Sequence, residues 1–138
     1  MQYTLGIIKP NAVSSGYTGK ILSKLEDSNF SMEAIRVMRL NSENAGAFYA
    51  VHKERPFFPS LVAFMTSGPI VPVVLQKKDA VSEFRRVIGA TDPNEAEDGT
   101  IRKLYGVSIE ENAIHGSDSS KNARIEIEFF FPDFFTSI

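Results

Sequence analysis

Apolar positions along this chain recur at a spacing of two over some stretches and of three to four over others, and the changes between these patterns outline its elements. Tyr3 to Lys9 alternates, with Leu5 and Ile7 on one face, and predicts a strand that Pro10 stops. After a turn at Ser14-Ser15-Gly16, Ile21, Leu22 and Leu25 share a helical stripe, with Thr18 as the expected cap and Asn29 as the stop. Phe30 to Leu40 is rich in β-compatible residues but alternates imperfectly, which predicts a strand open to a bulge. Ser42 then caps a short helix to about Lys53, and a charged turn, Glu54-Arg55-Pro56, leads into Phe57 and Phe58. In Pro59 to Ser67, Leu61, Phe64 and Met65 fall at helical spacing, and Gly68-Pro69 ends that helix.

Ile70 to Gln76 is an apolar run of strand length, and Pro72 inside it predicts a bulge because proline cannot donate to a ladder. Asp79 is the expected cap of the next helix, where Ala80, Val81, Phe84, Val87 and Ile88 form the inward stripe and Gly89 the end. Ala90 to Glu111 has little periodicity and reads mainly as one long loop, and loops of that length in a compact domain usually carry function. In the tail, Ile125 to Phe129 alternates like a strand, whereas Ala123, Ile127, Phe130 and Phe131 suit a helix; pattern alone tips slightly towards strand. With a short strand at Ala113-Ile114 and a closing helix, the order predicts an α+β, ferredoxin-like βαββαβ fold. It would have a four-stranded antiparallel sheet, a helical insertion and a C-terminal helix, in a single domain over residues 1–138.

Composition narrows the function classes. A net charge of −2 supplies no global basic field for nucleic acid or anionic membrane. Zero cysteines exclude disulfides and thiolate metal sites. The first residues lack a basic n-region, and no apolar run approaches the ~20 residues of a membrane helix, so a cytoplasmic location is the expectation.

The chemistry concentrates at Asn112 to Ser119, which reads Asn-Ala-Ile-His-Gly-Ser-Asp-Ser. Gly116 leaves the position beside His115 without a side chain, and Ser117-Asp118-Ser119 favours a helix start. No Gly-x-Ser-x-Gly elbow accompanies the histidine, which argues against a serine hydrolase. The other histidine, His52, has no ligand-spaced neighbours and reads as a surface residue, so a metal site finds no support. Gly16 to Lys20 has too few residues between its glycines for a P-loop. Nucleophilic catalysis by the imidazole would need cations and hydrogen-bond donors for an incoming phosphate, which Lys9, Arg85, Arg102, Thr91 and the helix start after Ser117 could supply if the fold gathers them. On these residues alone, a nucleophilic His115 and a buried structural His115 stand level.

The motifs carry a resemblance. Asn112 to Ser119, Ile8-Lys9-Pro10, Lys53 to Phe58, Ser67-Gly68-Pro69 and Gly99-Thr100-Ile101-Arg102, in this order, make the chain resemble the nucleoside diphosphate kinases along nearly its full length. The resemblance implies a ping-pong exchange. His115 would take the γ-phosphate of a nucleoside triphosphate, usually ATP with Mg²⁺ carried on its phosphates, and pass it to a nucleoside diphosphate. It also implies that Lys9 contacts the transferring group and the ribose, with Tyr49 beside it. Arg85, Thr91 and Arg102 would hold phosphates, and Asn112 would bind sugar hydroxyls. Phe57 would stack on the base, with Leu61 and Ile109 lining the slot, which suits any base. Ser117 and Glu126 would orient His115, and for Glu126 to reach it, Ser119 to Phe131 must be helical. Asn11 and Ala12 depart from the residues usual in the family, and a phenylalanine replaces a tryptophan near the tail. Family members form homo-oligomers, and the tail leaves tetramer and hexamer both open. The rival readings are a catalytically silent nucleotide-binding or regulatory member of the same fold, and a nucleic-acid binder, against which the net charge speaks.

Overall fold

In chain order the elements are β1 (Gln2–Ile8), α1 (Pro10–Ser14), α2 (Thr18–Asp27), β2 (Ser31–Ile35), α3 (Ser42–Phe48), α4 (Phe58–Met65), β3 (Val71–Lys77), α5 (Ala80–Ile88), α6 (Ile101–Tyr105), β4 (Ile114–Gly116) and α7 (Ser120–Phe130). Short 3₁₀ turns follow α3 and α7, at Ala50–His52 and Phe134–Thr136. The computed structural model describes residues 1–137, so Ile138, the last residue of the expected domain, lies outside the described residues.

The four strands form one antiparallel sheet in the order β2-β3-β1-β4, in agreement with the α+β, ferredoxin-like expectation. Because side chains alternate across a strand, the sheet builds a core on each face. On one face Ile8, Val71, Val73 and Leu75 pack with Ile21 and Leu25 of α2, Phe84 and Ile88 of α5, and Ile101 of α6. On the other, Leu5, Ile7 and Val74 pack with Ala45 of α3, Leu61 and Met65 of α4, and Ile127 and Phe130 of α7. The inward stripe of α5 is the one its spacing predicts, and all five of its residues are buried.

Several local expectations are corrected. Two five-residue helices were not expected: α1 precedes the predicted turn, which is present at Ser15-Gly16, and α6 interrupts the predicted long loop, for single turns carry too little periodicity to read. Proline opens α1 near its N-terminus, where no amide donor is lost. The caps shift as well. Thr18 is already helical; Asn41, in a reciprocal pair with Asn44, replaces Ser42 as the cap of α3; and α3 ends at Phe48 rather than near Lys53. Asp79 does hold the cap position of α5, but its left-handed backbone (φ 54°) leaves the side chain out of the cap, and Gln2 accepts the Val81 amide instead (2.9 Å).

β2 is shorter than the predicted Phe30 to Leu40 and carries its bulge between Met32 and Ala34. Pro72 causes no bulge and pairs in register with Ile7. Its carbonyl accepts from Arg36, just past the end of β2, so the missing donor on the same side costs no rung to β1. The tail is helical, against its alternation: Ala123, Ile127 and Phe130 are buried, while Ile125 and Phe129 face outwards.

Candidate active site

The site is built on the pairing of β1 with β4. Ile7 faces His115 and Gly6 faces Gly116 across the ladder. One residue on, the Leu5 amide donates to Ser117 Oγ (3.2 Å) and the Ser117 amide donates to the Leu5 carbonyl (3.2 Å). Ser117 is therefore fully buried and fixed to the sheet. Its hydroxyl donates to Glu126 Oε1 (2.8 Å), and the same oxygen lies 2.8 Å from His115 Nε2. Glu126 reaches the ring because Ser119 caps α7 through the Asn122 amide and aims the helix back along β1. A carboxylate only accepts, so Nε2 carries the ring proton and Nδ1 keeps a lone pair. Nδ1 makes no hydrogen bond among the described residues.

Gly116 does not clear room beside the imidazole as expected. A Cβ there would meet Ile88 at 2.9 Å and Phe84 at 3.1 Å, so its small size serves the packing of α5 against the opposite face of the sheet.

His115 opens into a cavity of about 630 Å³, whose walls include Phe48, Tyr49, His52, Arg85, Thr91 and Asp118. Arg85 and Thr91 also line an adjoining hollow of about 470 Å³ that contains Arg102, Gly89 and Thr100. His52, expected at the surface, is half-buried in the His115 cavity, with its ring 5.4 Å from that of Phe57.

The cationic groups are held by main-chain oxygens. Arg102 is buried and donates to the carbonyls of Gly89 (3.0 Å) and Ile114 (2.9 Å), which ties α6 to the end of α5 and to β4. Burial, with Arg85 nearby, lowers its guanidinium to about 10, and its Nε finds no partner among the described residues. Gly89, with φ 91°, packs so closely on Thr100 that any Cβ would lie 2.5 Å from Oγ1. Among the described residues Arg85 reaches only the Gly116 carbonyl (3.5 Å) and is otherwise exposed to solvent, as is Thr91.

Lys9, at the exit of β1, is also buried. Its amide donates to Ala113 (2.8 Å) and its Nζ points at the Glu110 carbonyl (3.5 Å). Burial and then Arg102 lower this amine to about 8, against a smaller opposing pull from Glu110. Tyr49 is buried at the C-cap of α3 with its hydroxyl unpartnered among the described residues, and burial, helped by Glu126, raises its phenol well above the usual range. The Asn112 amide group donates to the Thr91 carbonyl (3.0 Å), leaving its buried Oδ1 without a partner among the described residues.

The three apolar candidates divide. Phe57 (47% exposed) and Ile109 (61% exposed) present open faces, while Leu61 is buried against the core behind α4. Ser60 Oγ donates to Glu110 Oε1 (2.9 Å), which ties the start of α4 to the segment that carries Ile109. Phe58 packs against the core, so of the adjacent aromatics only Phe57 is offered outwards.

Sequence reasoning missed Phe48, whose ring meets the His115 ring edge-on at 5.6 Å, and Ala113, which holds a left-handed backbone (φ 78°) two residues before His115. Nothing in the local pattern marks either, since one depends on packing between helices and the other on a conformation alanine rarely takes. Among the described residues no helix is long and apolar enough to cross a membrane, and no three histidines or carboxylates cluster as a metal site.

Comparison with known proteins agrees with this geometry. The family model described as nucleoside diphosphate kinase matches residues 2–135. A nucleoside diphosphate kinase of Chlorobaculum parvum is 55% identical over 131 residues, covering 95% of this chain and 94% of the relative. One from Anaeromyxobacter sp. is 50% identical over 133 residues, covering 96% and 90%. Among solved structures, the Aquifex aeolicus nucleoside diphosphate kinase superposes with a TM-score of 0.93 at 45% identity, covering 94% of each chain. A Halobacterium salinarum nucleoside diphosphate kinase solved in complex with CDP gives 0.92 at 40% identity, covering 96% of this chain and 88% of that one. The chain belongs to the nucleoside diphosphate kinase family.

Proposed function

We propose that His115 is the phosphoryl carrier in this enzyme's transfer of phosphate from nucleoside triphosphates to nucleoside diphosphates. The observation that carries the reading is that His115 lines one cavity with Arg85 and Thr91 while its Nε2 is bonded to Glu126, which leaves Nδ1 without a partner among the described residues. The Nδ1 lone pair forms a bond to the γ-phosphorus. The bond from that phosphorus to the bridging oxygen breaks, and its electron pair leaves with the nucleoside diphosphate. In the second half, a terminal oxygen of a different nucleoside diphosphate attacks the phosphohistidine and the pair returns to Nδ1. The Nε2 proton remains shared with Glu126 throughout, and Ser117 steadies that carboxylate.

Arg85, Thr91 and Arg102 bind phosphate oxygens, where charge spreads in the transition state. The Nε of Arg102 supports this role, being a buried donor that lacks an acceptor among the described residues. Lys9 meets the transferring group and the ribose, with Tyr49 beside it. The orphan Oδ1 of Asn112 suits a sugar hydroxyl as donor. Phe57 and Ile109 close on the base, with Leu61 behind them, and a stack of this kind accepts any base.

A divalent cation, which we take to be Mg²⁺, offsets charge on the nucleotide's phosphates when bound. The cavity's carboxylates fit a metal that arrives with the nucleotide, since Glu126 is held by His115 and Ser117 and Asp118 accepts from Asn122 (2.7 Å). We further propose a cytoplasmic homo-oligomer over residues 1–138, a tetramer or hexamer. Exposed Ile35 at the edge strand β2 and Val37 beside it support assembly.

Incubation with γ-labelled ATP and Mg²⁺ tests the carrier. Acid-labile, base-stable label is expected on the wild type and none on a folded His115→Asn variant. Label persisting on the variant would overturn the assignment.

A further inference from the structure

The Glu126 hydrogen bond fixes one atom of the His115 ring and leaves the ring free to tilt about that contact. A second restraint comes from α3. The Phe48 ring meets the imidazole edge-on, with centroids 5.6 Å apart and planes at 75°. Phe48 does not float there. It packs edge-on against Tyr49 (4.9 Å, 87°) and Phe129 (5.2 Å, 63°) and tilted against Phe130 (5.0 Å, 52°), so α3 and α7 hold it from two sides.

We propose that Phe48 is a positioning residue for phosphoryl transfer, keeping the imidazole turned so that Nδ1 rather than Nε2 is offered to the γ-phosphorus. The proposal rests on the reading of His115 as the carrier. Phe48 touches no reacting atom. It acts by removing the ring orientations in which Nε2 leaves Glu126 and swings towards the cavity that both residues line. An edge-to-face contact favours one orientation by a factor of up to about ten, which sets the size of the effect to be sought.

The test uses the full chain with Phe48→Leu, which keeps apolar volume without a ring, Phe48→Ala, and Phe48→Tyr, which restores the ring. Single-turnover phosphorylation from γ-labelled ATP is followed by rapid quench, and ³¹P NMR of the labelled protein distinguishes the two phosphohistidine isomers. Melting curves establish that each variant is folded, and Phe48→Leu stands alone should Phe48→Ala fail to fold. For Phe48→Leu, a phosphorylation rate three- to tenfold below wild type is expected, on the order set by the ring contact. The KM for nucleotides should stay within about twofold, and an Nε2-phosphorylated fraction should appear that Phe48→Tyr removes. A folded Phe48→Leu that labels at the wild-type rate, or that slows while keeping a single isomer, overturns the proposal. A wild type that takes no label at all refutes the carrier reading itself and this proposal with it, and so is told apart from failure of the Phe48 role alone.

Discussion

Glu126→Gln isolates the charge of the carboxylate from its shape. Glu126 Oε1 accepts from His115 Nε2 and from Ser117 Oγ, both at 2.8 Å. Glutamine can place its carbonyl oxygen at the same point and accept both protons, so what is lost is charge assistance. Hydrogen bonds to a charged group contribute about 1.5–3 kcal/mol, roughly twice the neutral value. The His115 bond should therefore weaken by about 1–1.5 kcal/mol as the ring gains positive character on phosphorylation, a loss of about tenfold in rate. Glu126→Ala goes further. Ser117 keeps an alternative acceptor in the Leu5 carbonyl (3.4 Å), but the His115 N–H loses its protein partner. The ring's 19% side-chain exposure lets water compensate in part, so stability should fall by about 1–2 kcal/mol and the phosphorylation rate by roughly a hundredfold. Rapid-quench phosphorylation from γ-labelled ATP gives the rates, and urea unfolding gives the stabilities. A folded Glu126→Gln that phosphorylates at the wild-type rate would refute the idea that this carboxylate's charge serves the nucleophile.

Three further outcomes are expected. Lys9, lowered to about 8, loses its charge as the pH rises through that value, so calorimetric affinity for ADP should fall above pH 8 and Lys9→Gln should flatten the step. The stability of the nucleotide-free protein should move the other way and rise between about 8 and 10.5, because there the unfolded lysine binds a proton that the folded one has shed; a common direction for both would contradict the reading. Phe57→Ala should weaken ADP, GDP and CDP by a similar ~1–3 kcal/mol with little change in melting temperature, and a loss confined to one base would refute stacking by an open face. Gly89→Ala must place a Cβ 2.5 Å from Thr100 Oγ1 at a φ of 91°, which should destabilise the protein by about 2–5 kcal/mol; an unchanged melting temperature would show that α6 moves freely.

What could be read from the chain follows from how far each signal reaches. The α5 stripe and the Asn29 stop were legible because a nine-residue helix and a left-handed asparagine (φ 69°) are set by nearby residues. The caps were legible only in part: Asp79 holds its cap position and Ser119 caps α7, whereas Thr18 and Ser42 give way to their neighbours Tyr17 and Asn41 because the backbone dihedral decides. In the tail, Ile125 and Ile127 alternate as a strand would, yet the burial of Ala123, Ile127 and Phe130 on one helical face decides for helix. At the site, local chemistry left His115 undecided, and the motif order is what pointed to a carrier. The grip of Arg102 on Gly89 and Ile114, the entry of His52 into the cavity and the aromatic cluster around Phe48 all join segments remote in sequence, so no local pattern could announce them.

The pairing of β1 with β4 also bears on when the molecule becomes active during synthesis. Leu5 and Ser117 are 112 positions apart, so the first strand to leave the ribosome must wait for the last before His115 has its seat in the sheet. A nascent chain through α5 can already pair β1, β2 and β3 and bury Phe84 beneath them, but it holds neither His115 nor Glu126. Such long-range closure is slow compared with local contacts. On the proposed role of His115, a chain stalled before α7 therefore lacks the Glu126 contact to that ring, and the site is assembled only once α7 has been made.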